Sequence, residues 1–243
     1  MSKTNSQTEA GETPALPGSV LLTLIHLSDS ALPIGGFSHS WGLETWCQSG
    51  LLANSDSVFA CVRELLRMSV APQDGRACAL AHQFAQQNDL SNFSTLNAHL
   101  TASRWTDEPR EASLKLGARF LKLSAASSIV SNLNGLDLAR IHHCAAFGWV
   151  CAIAGVSAAD AVAAYLYTSC MAMVSASVRL IPLGQTEGQV VLARLRVEVE
   201  NVVDQCLFGR NGALELDDIS SFAPMHEQAC VEHQSLYSRL FQS

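Results

Sequence analysis

The sequence is short of charge. Asp, Glu, Lys and Arg make up 15% of its 243 residues, against roughly 25% in an average domain. The AVILMFWYC set reaches 48%, so most of the chain has enough apolar surface to fold, which excludes disorder along most of its length. Positive charge is the scarcer sign: 15 Lys and Arg stand against 22 Asp and Glu, a net charge of −7, and the basic residues are scattered. Nucleic acid is thereby excluded as the main partner, because phosphate binding needs clustered cations. So little charge on so apolar a chain implies that part of its surface is covered by another protein.

Other absences narrow the reading further. The eight cysteines, at 47, 61, 78, 144, 151, 170, 206 and 230, contain no C-x-x-C and no dense framework; in a chain this long they read as reduced, mostly buried thiols of a cytoplasmic protein. No signal peptide is recognisable in the polar first 18 residues. The longest uncharged runs, 141–159 and 161–178, reach membrane-spanning length, but His142, His143, Ser157 and Thr168 lie within them. They read as core helices, with no membrane partner. There is no internal repeat and no linker dividing the middle. A phosphate loop is missing, since Gly35-Gly36 has no following Lys. GGFSHS lacks the closing Gly of a nucleophile elbow. Asp107, Glu108 and Glu111 cluster at a helix start, where dipole compensation accounts for them. No catalytic set emerges.

What is present is helix after helix, giving an all-α, single-domain bundle of about ten helices from residue 19 to 243, behind a disordered tail at 1–18. The spacing predicts helices over 19–28, 38–49, 55–71, 74–87, 91–103, 106–128, 137–155, 157–178 and 224–240, with Pro72 ending the third. Ser55 or Asp56 caps that third helix, whose buried stripe is Val58, Cys61, Val62, Leu65, Leu66 and Met68. Thr106 offers a capping hydroxyl, and Ser157-x-x-Asp160 resembles a capping box. Val191, Leu195, Val199, Val202 and Cys206 step by 4, 4, 3 and 4, a helical stripe despite many β-branched neighbours. Between Ser124 and Val178 only Asp137, Arg140 and Asp160 are charged, which puts these helices at the centre of the bundle.

Two kinds of site remain. His226, Cys230 and His233 fall at i, i+4 and i+7 on one helix face, and imidazole with thiolate suits zinc, copper or nickel. The ordinary alternative is a core cysteine beside satisfied histidines, so neither a metal nor another cofactor is assigned. The two ends are more unusual. GGFSHSWGLE places Phe37 and Trp41 one helical turn apart after a flexible Gly pair. YSRLFQS carries Tyr237, Arg239, Leu240 and Phe241 where a terminus is normally frayed and polar. Aromatic and arginine residues of this kind concentrate at protein interfaces.

LPIGGFSHSWGLE (32–44), ASRWTDEPREASLKLG (102–117), SVRLIPLGQTEGQ (177–189) and EHQSLYSRLFQS (232–243) occur in this order and spacing. Together they resemble the UreF family of urease accessory proteins. The resemblance implies an all-α, non-enzymatic homodimer that needs no cofactor. Such proteins bind UreD (UreH in some organisms), recruit the GTPase UreG and act on the urease apoprotein so that nickel is inserted. It further implies that Phe37, His39, Trp41 and Glu44 belong to the dimer and partner surface. Arg179 and Gln185 fall in the stretch associated with control of the GTPase. His233, Tyr237, Arg239, Leu240 and Phe241 belong to a docking tail, 232–243, in which Leu240 and Phe241 are the apolar anchors. The family pattern H-E-x-Q-Y-S-R-L-F is altered here to Gln234 and Leu236 at its Glu and Gln positions. The other reading that the residues themselves offer is a nickel carrier using the His226, Cys230 and His233 face.

Overall fold

The computed structural model describes residues 17–130, 133 and 135–242. The tail expected at 1–18 lies outside the described residues up to 16, while Pro17 and Gly18 already open a helix. The fold is all-α: α1 (Pro17–Leu27), α2 (Leu43–Gln48), α3 (Ser55–Leu65), α4 (Arg76–Gln86), α5 (Leu90–Ser103), α6 (Asp107–Ala126), α7 (His143–Ile153), α8 (Ala158–Leu180), α9 (Gln185–Leu207) and α10 (Pro224–His233). β-Type pairing among the described residues consists of isolated bridges at Gly209–Gly212 and Asn211–Ala213.

The uncharged middle of the sequence forms the centre. Every residue of α7 from Cys144 to Cys151 is buried, between α4 on one side and α6 on another, while α8 packs on α9. Such close packing needs small residues at the crossings. A Cβ on Gly148 would collide with the backbone carbonyl of Cys78 in α4, and one on Gly117 with the backbone at Ile141. Among the described residues α8 is the helix long and apolar enough to cross a membrane, and half of its apolar window is buried in the bundle. The α9 stripe behaves as its period implies: Val191, Leu195, Val199, Val202 and Cys206 are all buried.

Several boundaries differ from the sequence expectation, each for a local reason. Asn54, rather than Ser55 or Asp56, caps α3, accepting from the Ser57 amide at 3.0 Å while the Ser57 hydroxyl faces back. Met68 points outward, 44% exposed. Thr106 does precede α6, but its hydroxyl makes no capping bond. His142 precedes α7, with a 3₁₀ turn at Leu138–Arg140 before it. Pro72 does not stop the chain from spiralling. Leu66–Gly75 is a π-helical segment that joins α3 to α4, and its wider turn frees backbone groups that an α-helix would pair. Those carbonyls find partners elsewhere. Met68 O accepts from the Phe222 amide at 2.9 Å and Pro72 O from the Ser220 amide at 3.1 Å, while Cys206 Sγ lies 3.3 Å from Ala71 O.

His142 and His143 sit at the α6–α7 junction. The His142 ring lies 3.0 Å from Thr101 Oγ1 and 3.1 Å from Ser113 Oγ. Burial, reinforced by Arg104, pushes their imidazoles from 6.5 down to about 3 and about 4. A histidine kept neutral in the fold takes up a proton more readily when unfolded. Its cost to stability therefore begins as pH falls through 6.5 and grows until the folded-state value is reached. Both ring resonances are expected to stay in the neutral form to about pH 5 in an NMR titration; titration near the unperturbed histidine value would contradict this. Gly148→Ala is expected to cost about 3 kcal/mol in chemical denaturation through overpacking against α4. Gly36→Ala, which meets no atom within 4 Å, should change stability by under about 0.5 kcal/mol.

Candidate functional site

The two unusual ends of the sequence meet in space. Residues 35–42 do not continue into a helix. A 3₁₀ turn at Gly36–Ser38 is followed by a left-handed reversal at Trp41 (φ 56°) and Gly42 (φ 76°), and α2 starts only at Leu43. Phe37 and Trp41 therefore do not share a helix face. A bulky residue in the left-handed region is strained and must be held there. The holding comes from α10. The His226 ring lies 2.6 Å from Trp41 O, so Nε2 donates to that carbonyl. Thr45 Oγ1 donates to Ala229 O at 2.8 Å. A Cβ on Gly42 would stand 2.9 Å from Cys230 Sγ.

Glu44 is the hub beneath this turn. Its side chain is 3% exposed, and it accepts three hydrogen bonds: from His233 Nε2 at 3.0 Å, the Leu240 amide at 2.7 Å and the Phe241 amide at 3.1 Å. The other ring nitrogen of His233 faces Glu108 Oε2 at 3.0 Å, and Arg239 reaches Glu108 Oε1 at 3.4 Å. Carboxylate oxygens are acceptors, so both ring nitrogens of His233 face acceptors. These contacts explain why the last helix ends at His233 instead of running to 240. The chain turns there, and its amides pair with a buried carboxylate rather than with the preceding helical turn.

Arg179 closes the tail from the other side. Its guanidinium lies 3.7 Å from the Phe37 ring centre and 4.4 Å from that of Phe241, and it donates to Phe37 O at 2.8 Å and Ser175 O at 3.1 Å. Gln242 N donates to Ser38 O at 2.8 Å. Phe241 is buried, whereas Leu240 is 67% exposed and Tyr237 wholly exposed. Of the two expected anchors, Phe241 points inward and Leu240 outward. Phe37 is exposed over one face, with Gln185 exposed at the start of α9.

The proposed contact residues thus divide. Phe37, Gln185, Tyr237, Arg239 and Leu240 stand at the surface, with Trp41 half-buried. Glu44, His233 and Phe241 are buried. His39 is also buried, and burial together with Lys115 and Arg119 lowers its pKa, favouring a neutral ring. Two participants escaped the sequence reading. Glu108 is not merely a dipole-compensating acid, and nothing in the sequence near it signals its pairing with His233. Thr45 ties α2 to α10 without any motif.

The His226, Cys230 and His233 face does not assemble into a donor set. His226 Nε2 and Cys230 Sγ are 3.8 Å apart, but His226 is engaged by Trp41 and His233 is turned between two glutamates. Burial, with Glu108 and Glu227, pushes the Cys230 thiol up to about 12. No cluster of three or more His, Cys, Asp or Glu arranged for a metal ion occurs among the described residues.

A family model described as UreF matches residues 52–196. The chain is 31% identical over 229 residues to "Urease accessory protein UreF" of Bacillus sp. (strain TB-90), covering 92% of this chain and 99% of that protein. It is 32% identical over 235 residues to the protein of the same name from Arthrobacter sp. (strain FB24), covering 94% and 100%. It is 31% identical over 230 residues to that of Actinobacillus pleuropneumoniae, covering 90% and 97%.

Glu44→Gln is expected to release the tail while leaving helical content intact. Exchange of the Leu240 and Phe241 amides, followed by NMR, should accelerate by about tenfold or more. Unchanged protection would show that the carboxylate does not hold the tail.

Proposed function

The chain belongs to the UreF family of urease accessory proteins, and on that premise we propose that it is a non-catalytic adaptor of urease maturation. It joins a UreD (UreH) protein to the GTPase UreG, so that nickel reaches the urease apoprotein through the accessory complex. It works as a homodimer in the cytoplasm, a placement its eight free thiols are compatible with. Residues 19–243 act as one unit, with 232–243 as the docking tail. Nickel is cargo in this scheme, and the nucleotide belongs to the partner.

The observation that carries this reading is the outward face of the docked tail. Tyr237 and Leu240 are large side chains held in the open by a segment whose neighbouring residue, Phe241, is buried. Phe37 stacks on Arg179, which also meets the buried Phe241, and Arg239 supplies a cation. An exposed aromatic and aliphatic set beside arginines, on a rigid backbone, is what a binding hot spot requires. Arg179 supports the set by stacking between Phe37 and Phe241, so its influence on UreG runs through the shape of this shoulder. The nickel-carrier reading gains no support from the His226, Cys230 and His233 geometry.

Tyr237→Ala and Leu240→Ala remove exposed side chains, so the fold should survive both. Each is expected to weaken association with the cognate UreD by about thirtyfold, ~2 kcal/mol, in a calorimetric titration. Undiminished affinity in both would remove the tail from the partner surface.

A further inference from the structure

Cations are scarce in this chain, and three of them stand in a row. Two of the sequence's three lysines, Lys115 and Lys122, lie on α6 with Arg119 between them. Spacings of four and three residues bring side chains to one helix face, and all three residues are exposed. Their charge is poorly offset. Lys115 reaches Glu111 at 3.1 Å, but the two side chains are 66% and 63% exposed, so water screens the pair. Arg119 donates to a carbonyl, Ile34 O, at 3.2 Å. Among the described residues neither Arg119 nor Lys122 pairs with a carboxylate. Arg119 is also held in place. Gly35 (φ 93°) makes room for it, since a Cβ there would collide with Nη1. After burial, Lys115 and Arg119 are what lower the pKa of His39, so the field of the row reaches the shoulder turn.

The row continues the face of α6 that holds the tail. Glu108, which meets His233 and Arg239, precedes Lys115 by seven residues, two turns back on the same face. Arg239, 42% exposed, adds a cation at that end. Lys122 stands about 21 Å along the helix axis from Glu108. A standard interface covers about 800 Å² per partner, roughly 30 Å across. A protein seated on Tyr237 and Leu240 therefore has the reach to cover the row. What it lays there must be negative. An apolar surface would take water from three cations and return nothing, and a basic one would repel them. Carboxylates would replace the lost water with charge-assisted hydrogen bonds.

We propose that Lys115, Arg119 and Lys122 form an electrostatic docking strip for an acidic segment of the protein that binds the tail. The identity of that protein, a UreD, rests on the adaptor reading; the strip itself rests on α6. Exposed charges of this kind act mainly on encounter and register. The strip therefore sets how fast the partner arrives, while Tyr237 and Leu240 set how long it stays.

The test is the kinetics with which the cognate UreD binds the full chain, followed by stopped-flow at roughly 20 mM and 500 mM sodium chloride. Combining Lys115→Gln, Arg119→Gln and Lys122→Gln is expected to slow association about tenfold at low salt, with the difference gone at high salt. The dissociation rate and the helical content should stay as they are. Lys115→Gln with Lys122→Gln leaves Arg119 on Ile34 and should slow association about fourfold; it decides the matter if the triple variant does not fold. A low-salt association rate that is unchanged or faster overturns the strip and leaves the adaptor reading standing. So does a loss confined to dissociation, or one that persists at high salt. If the unaltered protein does not bind UreD, both fall.

Discussion

One buried carboxylate organises the functional end of this protein. Glu44 lies at the start of α2, where burying an unpaired charge would cost several kcal/mol. It avoids that cost by accepting from His233 and from two backbone amides of the C-terminal tail. The tail needs Glu44 equally, since the nine described residues beyond α10 must offset their ordering entropy, roughly 1–2 kcal/mol each for backbone. Phe241, inserted against Arg179, supplies the apolar part of that compensation. The end of α10 and the outward placement of Tyr237 and Leu240 follow from satisfying this single group, while His226 on α10 holds the left-handed turn at Trp41–Gly42.

The clamp turns a segment that is polar and frayed in most proteins into a fixed surface. Rigid aromatic side chains lose little entropy when a partner covers them. The shoulder and the tail are held by the same residues: Arg179 touches both Phe37 and Phe241, and α10 holds both Trp41 and Thr45. A partner that contacts one therefore contacts a surface whose shape depends on the other. This linkage requires two arrangements, tail docked and tail free, and a partner that distinguishes them.

Much of the fold was legible in the residues. The stripe from Val191 to Cys206 and the uncharged run around α7 placed the core correctly because period and charge report burial directly. Boundaries set by tertiary partners were not legible. Pro72 was expected to end a helix because an α-helical register cannot absorb it; a π-helical turn can, once Ser220 and Phe222 cap the freed carbonyls. The stretch 234–240 has the composition of a continuing helix, and only the distant Glu44 diverts it. At the site, the exposed aromatic and arginine residues were recognisable as a group. Glu108 was hidden, because an acid at a helix start has a sufficient local explanation.

The central claim is that the buried clamp prepares the partner surface. The most direct measurement is the affinity of the cognate UreD for the Glu44→Gln protein compared with the unaltered one, at equal helical content. Glu44 is buried within the protein. If the clamp preorganises the tail, affinity falls by about tenfold, in proportion to the fraction of molecules with the tail docked. Equal affinity would show that the docked tail is not the binding-competent form, and tighter binding would show that docking opposes association.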